Sequence, residues 1–192
     1  MPSTSSSRET ARQLDAADPL AHIRDAFYRP DGVLYFDGKS LGLLSKRAET
    51  TALNALEQWL GIDGWMQADP PWFTLGEELG ARSAALVGAE PDEVVVTGGT
   101  TINLHALVST FYEPTGSRSK IIATELDFPS DIYALQSQIL LKGGDPERDL
   151  IRVASRDVRT VSEDDLIDAM TDEVALALLP SVLYRSGQLL DI

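Results

Sequence analysis

Apolar residues recur at helical spacing in the first part of the chain and change to an alternation of strands and helices in the second. Over 46–60, Ala48, Ala52, Leu53, Leu56 and Trp59 fall on one face, which predicts an amphipathic helix. A second helix is predicted over 75–87. A shorter one is predicted over 18–27, with Asp18 as N-cap and Pro19 at its first position. Leu34-Tyr35-Phe36 reads as a short strand running into the turn Asp37-Gly38-Lys39-Ser40-Leu41-Gly42. Residues 61–72 read as a loop holding Trp65 and Trp72.

From residue 93 the pattern becomes regular. Strands are predicted over 93–97, 120–124, 150–154 and 174–179. Helices are predicted between them over 101–111, 130–142 and 162–170, the last opened by Ser162 with Asp165 three residues on, a variant of the capping box. Strands alternating with helices through short loops predict βαβ units and a mostly parallel sheet. The fold class is therefore α/β. Residues 1–12 read as a disordered tail, 13–73 as a helical and loop segment, and 74–192 as an incomplete large domain. A parallel sheet keeps both faces covered, so a chain ending soon after a core strand reads as a partial unit.

Composition narrows the function. Apolar residues make up 43% of the 192, enough for a core, and charged residues 24%. A net charge of −14 argues against nucleic acid or an anionic membrane as partner. The absence of cysteine removes disulfides and thiolate chemistry, and two histidines argue against a histidine metal site. No apolar run approaches the roughly 20 residues that span a bilayer. The polar start lacks the apolar core of a secretion signal, so a cytoplasmic protein is expected.

Three places can carry chemistry. Val96-Thr97-Gly98-Gly99-Thr100-Thr101 joins a predicted strand to a predicted helix. Glycines let backbone approach an anion, and the helix start offers free N–H groups with two hydroxyls. It matches neither a Walker loop nor the dinucleotide glycine spacing, and an ordinary turn with a threonine cap serves equally. Phe128-Pro129-Ser130-Asp131 also follows a strand and opens a helix. Ligands of open α/β sheets sit outside the carboxyl ends of strands, which is where both segments fall. Phe128 offers a flat face, and Asp131 an acceptor or a partner for a cation. A Pro-Ser helix start with a core phenylalanine is the plainer alternative. The third place is the turn around Lys39 and Ser40, suited to a carboxylate or simply a surface turn. Trp65 and Trp72 line a pocket or anchor a loop. His105 lies one helical turn beyond Thr101 and reads as a satisfied core histidine.

In order, these segments resemble kynureninase: Phe36-Asp37-Gly38-Lys39-Ser40-Leu41-Gly42-Leu43, the stretch from Trp59 to Trp72, Thr101-Ile102-Asn103-Leu104-His105, Phe111-Tyr112-Glu113-Pro114-Thr115, Phe128-Pro129-Ser130-Asp131 with Tyr133-Ala134, Ser137-Gln138, and Ser186-Gly187-Gln188. The ordered set is specific where single segments are not. The resemblance implies the large domain of an aminotransferase-like pyridoxal 5'-phosphate enzyme, a homodimer hydrolysing the Cβ–Cγ bond of L-kynurenine, or its 3-hydroxy form, to anthranilate and L-alanine. It implies Thr100 and Thr101 at the cofactor phosphate and Phe128 stacked on the pyridine ring. Pro129, Ser130 and Asp131 fall in the same pocket, with Ser40, Lys39 and Trp65 near the substrate. Trp65 looks more like the bacterial enzymes that favour kynurenine. Two positions depart from the family: Lys39 stands where asparagine is usual, and Pro180-Ser181 where a small hydroxyl residue contacts phosphate.

None of the four lysines, Lys39, Lys46, Lys120 and Lys142, matches the family's cofactor-bearing lysine. That lysine, with the acid that pairs with the pyridine nitrogen, is expected beyond Ile192. The chain is thus expected to be a fragment with no catalytic residue of its own and to be inactive alone. The alternatives are a desulfurase or aminotransferase of the same fold, against which Phe128 speaks, or a non-catalytic protein that binds an anion or a partner.

Overall fold

A computed structural model describes residues 4–61, 64–69 and 71–191. Residues 1–3 of the expected tail, 62, 63 and 70 of the expected tryptophan loop, and the terminal 192 lie outside the described residues. The chain divides into two compact units, Met1–Val96 and Thr97–Ile192. The helix over 75–87, expected to open the large domain, belongs to the first unit.

The first unit is helical and thinly packed. Helix α1 spans Thr4–Ala17, where the composition predicts a disordered tail. Its described side chains are all exposed. The helix expected over 18–27 is a 3-10 turn, Ala21–Ala26. The Asp18 carboxylate accepts from Leu20 N at 2.8 Å, an Asx-type arrangement that competes with regular helix. No strand forms at 34–36. Leu34 and Phe36 lie in a loop closed at its neck by a bridge between Phe27 and Ser45 and by Tyr28 N donating to Leu44 O.

Helix α2 spans Lys46–Leu60, as its spacing predicts. Ser45 caps it, its hydroxyl accepting from Ala48 N at 3.0 Å. Among the described residues of the unit nothing buries its apolar face, and Trp59 is 70% exposed. Helix α3 spans Leu75–Val87 and ends on Gly88 at φ +70°, a left-handed C-cap that glycine adopts without cost. Residues 93–97 form no strand. Val94, Val95 and Val96 lie against α3, with Val96 N donating to Gly76 O at 3.0 Å. A Cβ at Gly80 would fall on the Val94 carbonyl, so glycine there permits the close approach. Periodicity predicts a strand but not its partner, and here the partner is a helix.

The second unit carries the sheet. Its elements are α4 Thr100–Phe111, β1 Lys120–Thr124, α5 Pro129–Leu141, α6 Pro146–Asp149, β2 Leu150–Val153, α7 Glu163–Ala169 and β3 Val174–Ala177. All three strands are parallel in the order β2-β1-β3. β1 is apolar on both sides because it is covered on both. Ile121 and Ala123 pack with Leu104, Val108, Ile132, Leu135 and Ile139 of α4 and α5. Ile122 faces the opposite cluster of Val153, Val161, Leu166, Leu183 and Leu190. Each fully buried Ile or Leu contributes roughly 1.5–3 kcal/mol, and among the described residues all the buried ones lie in this unit. Ser162 stands at the start of α7 without making the expected side-chain cap. Strand β1 connects to β2 on one side, and the chain then crosses to β3 on the other. The carboxyl ends of β1 and β3 therefore flank a topological switch point.

Candidate functional site

The exit of β1 is a tightly bonded turn. The Asp127 carboxylate accepts from Thr124 N at 2.7 Å and from Thr124 Oγ1 at 2.9 Å. Thr124 Oγ1 in turn accepts from Leu126 N at 3.1 Å. Both side chains are buried. Burial pushes the Asp127 carboxyl up from its ordinary range, the Thr124 hydrogen bonds oppose the rise, and nearby Asp131 adds to it. The turn delivers Phe128 in extended conformation to the head of α5, where Pro129 takes the first helical position. Phe128 is 51% exposed.

Beside Phe128 lies a cavity of about 200 Å³, bounded by Asp127 and Asp131 on the β1 side and by Leu178, Leu179 and Pro180 after β3. This is the switch point. The head of α4 reaches the same helix start. Thr101 Oγ1 donates to Ser130 Oγ at 3.3 Å, and Ser130 Oγ donates to Asp131 Oδ1 at 3.2 Å. Thr101, Ser130 and Asp131 are therefore one hydrogen-bonded row, with Phe128 and Pro129 immediately before it. Thr100 and Thr101 are exposed on the first turn of α4, whose N-cap Gly99 makes no side-chain cap. The first N–H groups there keep their capacity for an anion.

The Asn-Leu-His block proves to be scaffold. Asn103 Nδ2 donates to Thr97 O at 2.8 Å and braces the glycine turn. Gly98 sits at φ +45°, and a Cβ on it would press on Asn103 Oδ1. His105 Nδ1 pairs with Gln138 Nε2 at 3.0 Å, joining α4 to α5, which is the satisfied histidine expected. Ser181 O accepts from Leu190 N at 2.9 Å, and Pro180 faces the cavity.

The remaining candidates belong to the first unit. Lys39 and Ser40 sit in an exposed turn, with Ser40 N and Leu41 N both donating to Asp37 O. Trp65 is 63% exposed. Trp72 anchors the loop instead: its indole donates to Gln58 Oε1 at 3.2 Å, its backbone N donates to Gly64 O at 2.8 Å, and a Cβ at Gly64 would enter its ring.

Residue patterns alone did not single out Thr124, Asp127 or Tyr184. The Thr-x-x-Asp spacing at a strand exit was the available signal for the first two. Tyr184 had none, because its contact with Phe128 spans 56 positions in sequence (184 − 128).

An uncovered aromatic face at a cavity, a nearby carboxylate and an uncapped helix start with two hydroxyls suit a flat ligand that carries an anionic group. No family model matches the chain. Proteins named kynureninase do match it: 61% identical in Geobacillus thermodenitrificans and 59% in Bacillus cereus over 186 residues, and 55% in Shouchella clausii over 187. Each alignment takes in 96% of this chain and 44% of the relative. The chain thus spans less than half the length of the curated relatives it matches. Across the part of those proteins that it spans, the chain is 55–61% identical to proteins named kynureninase.

Proposed function

We propose that this chain forms one wall of the cofactor pocket of a pyridoxal 5'-phosphate-dependent hydrolase that cleaves L-kynurenine to anthranilate and L-alanine. The observation that carries the reading is the row Thr101, Ser130 and Asp131 beside the exposed Phe128 at the switch point, in a sequence 55–61% identical to proteins named kynureninase. When bound, the cofactor supplies the electron sink for breaking a carbon–carbon bond. The chain's residues bind and orient. Thr100, Thr101 and the head of α4 receive the phosphate. Phe128 gives the ring a stacking face. Asp131 accepts a hydrogen bond from the ligand's polar edge, with Ser130 holding its carboxylate in place. Ser40, Lys39 and Trp65 serve the substrate, Trp65 favouring kynurenine over its 3-hydroxy form. The complete enzyme works as a cytoplasmic homodimer, and the lysine that carries the cofactor lies outside these residues.

The test joins this chain to the remaining part of the Geobacillus thermodenitrificans kynureninase and follows anthranilate fluorescence. Release of anthranilate from kynurenine is expected, with loss of about 100-fold or more in kcat/KM on Asp131→Ala, since one misplaced positioning group costs that much. A chimera that folds and takes up pyridoxal phosphate but leaves kynurenine intact overturns the reading. The unjoined chain, treated with the cofactor and borohydride, is expected to show no pyridoxyl mass fixed on a single lysine.

A further inference from the structure

Phe128 is paired with a second aromatic ring. Tyr184 lies with its centroid 5.1 Å away and its plane turned by 71°, an edge-to-face pair. In that geometry at least one face of Phe128 stays uncovered, and both rings border the cavity. The two come from opposite sides of the switch point, Phe128 after β1 and Tyr184 after β3.

Both are firmly held. Phe128 O accepts from Asp131 N at 2.9 Å, and the locked Asp127 precedes it. Its backbone is thereby set, leaving rotation about the side chain as the main freedom. Tyr184 belongs to a small hairpin whose ends are tied by Leu190 N donating to Ser181 O and by a bridge between Val182 and Leu189. Leu183 and Leu190 sink into the core. The turn needs Gly187 at φ +73°. The Gln188 side chain then behaves like a strand neighbour. Its Oε1 accepts from Val161 N and its Nε2 donates to Val161 O, both at 2.8 Å. Arg185 Nε donates to the Tyr184 hydroxyl at 2.8 Å.

We propose that Tyr184, on a hairpin anchored by Gln188, is a positioning residue that fixes the Phe128 ring so that its free face is ready for a flat aromatic ligand. The aromatic pair limits how far the Phe128 ring swings, and a ring already in place costs the ligand no ordering on binding. The Ser-Gly-Gln segment forms the turn of this hairpin, so it has a physical task although Ser186, Gly187 and Gln188 are not among the residues bordering the cavity. The inference rests on the reading of Phe128 as the stacking face.

The experiment uses the purified chain with ring-labelled phenylalanine, the Phe128 signals being assigned from Phe128→Leu. Tyr184→Ala and Gln188→Ala are expected to collapse the Phe128 ring shifts toward their free values, while Tyr184→Phe keeps them. Pyridoxal phosphate affinity, read by absorbance, is expected to fall about tenfold in both alanine variants and to stay near wild type in Tyr184→Phe. Thermal unfolding, run alongside, shows that each variant is folded. Unchanged Phe128 shifts in a folded Tyr184→Ala overturn the proposal, as do altered shifts with unaltered affinity. If the wild-type chain takes up no pyridoxal phosphate, the cofactor reading falls, and the ring shifts alone decide whether Tyr184 positions Phe128.

Discussion

Two buried carboxylates of the sheet unit respond to pH in opposite directions, and the residue scale explains why. Asp149 is 1% exposed, accepts two bonds from the Arg148 guanidinium and one from Asp145 N, and has its pKa lowered from 3.8 to about 2. The guanidinium is the main cause. A depressed folded pKa gives stability that is present above the ordinary value and lost as pH falls through the lowered one. The advantage of wild type over Asp149→Asn in denaturant midpoint is therefore expected to shrink between pH 4 and pH 2. Asp149→Ala at neutral pH is expected to cost about 2 kcal/mol, because it removes the buried acceptor shared by Asp145 N and the Arg148 guanidinium. Asp127 has the opposite sign. Its carboxyl is raised by burial, so its contribution is present below the ordinary value and lost as pH rises through the raised one. Asp127→Asn is expected to gain on wild type as pH climbs from 4 to 7. A difference that stays flat over that range would show that the charged form meets no penalty in the turn.

At the scale of elements, Gly80 sets two effects against each other. In an exposed helix interior, glycine to alanine gains roughly 1 kcal/mol. In α3 the added methyl would fall on the backbone carbonyl of Val94, which no rotamer change relieves. The steric effect wins, so Gly80→Ala is expected to destabilise the first unit by about 2 kcal/mol in denaturant titration. Gly76→Ala, whose Cβ would stand 2.9 Å from Val96 O, is expected to cost less. The same segment shows what was legible in the sequence. Helices α2 and α3 and strand β1 were readable because one-sided or unbroken apolar spacing is a local property. The segment 93–97 read as a strand, and its valines lie against a helix without forming one. Leu34-Tyr35-Phe36 had strand-like composition and no strand to pair with. In the site, Thr101, Phe128 and Asp131 were legible from their place at helix starts. Their bonding through Ser130, and the Tyr184 contact, depend on strand order, which spacing does not encode.

At the scale of the whole chain, burial is unevenly shared. Both apolar clusters among the described residues lie in Thr97–Ile192, built on β1, α4, α5 and the segment closing at Leu190. In Met1–Val96 the described buried side chains are small, such as Ala68 and Ala84, while Trp59, Leu60 and Phe36 face outward. Local stability follows buried apolar contact, so backbone opening is expected to differ sharply between the units. In native-state hydrogen exchange, the amides of Ile121–Thr124 and Leu135–Ile139 should open only with global unfolding. Those of α2, with no buried residue, should exchange through local fraying, and thus orders of magnitude faster at equal intrinsic rates. Joining the remaining part of a kynureninase is expected to slow α2 exchange while leaving β1 nearly unchanged, because Leu53, Leu56 and Trp59 form an apolar face left exposed among the described residues. Protection of α2 equal to that of β1 in the unjoined chain would mean that this face already finds cover there, by self-association, which sedimentation over a range of concentrations would reveal.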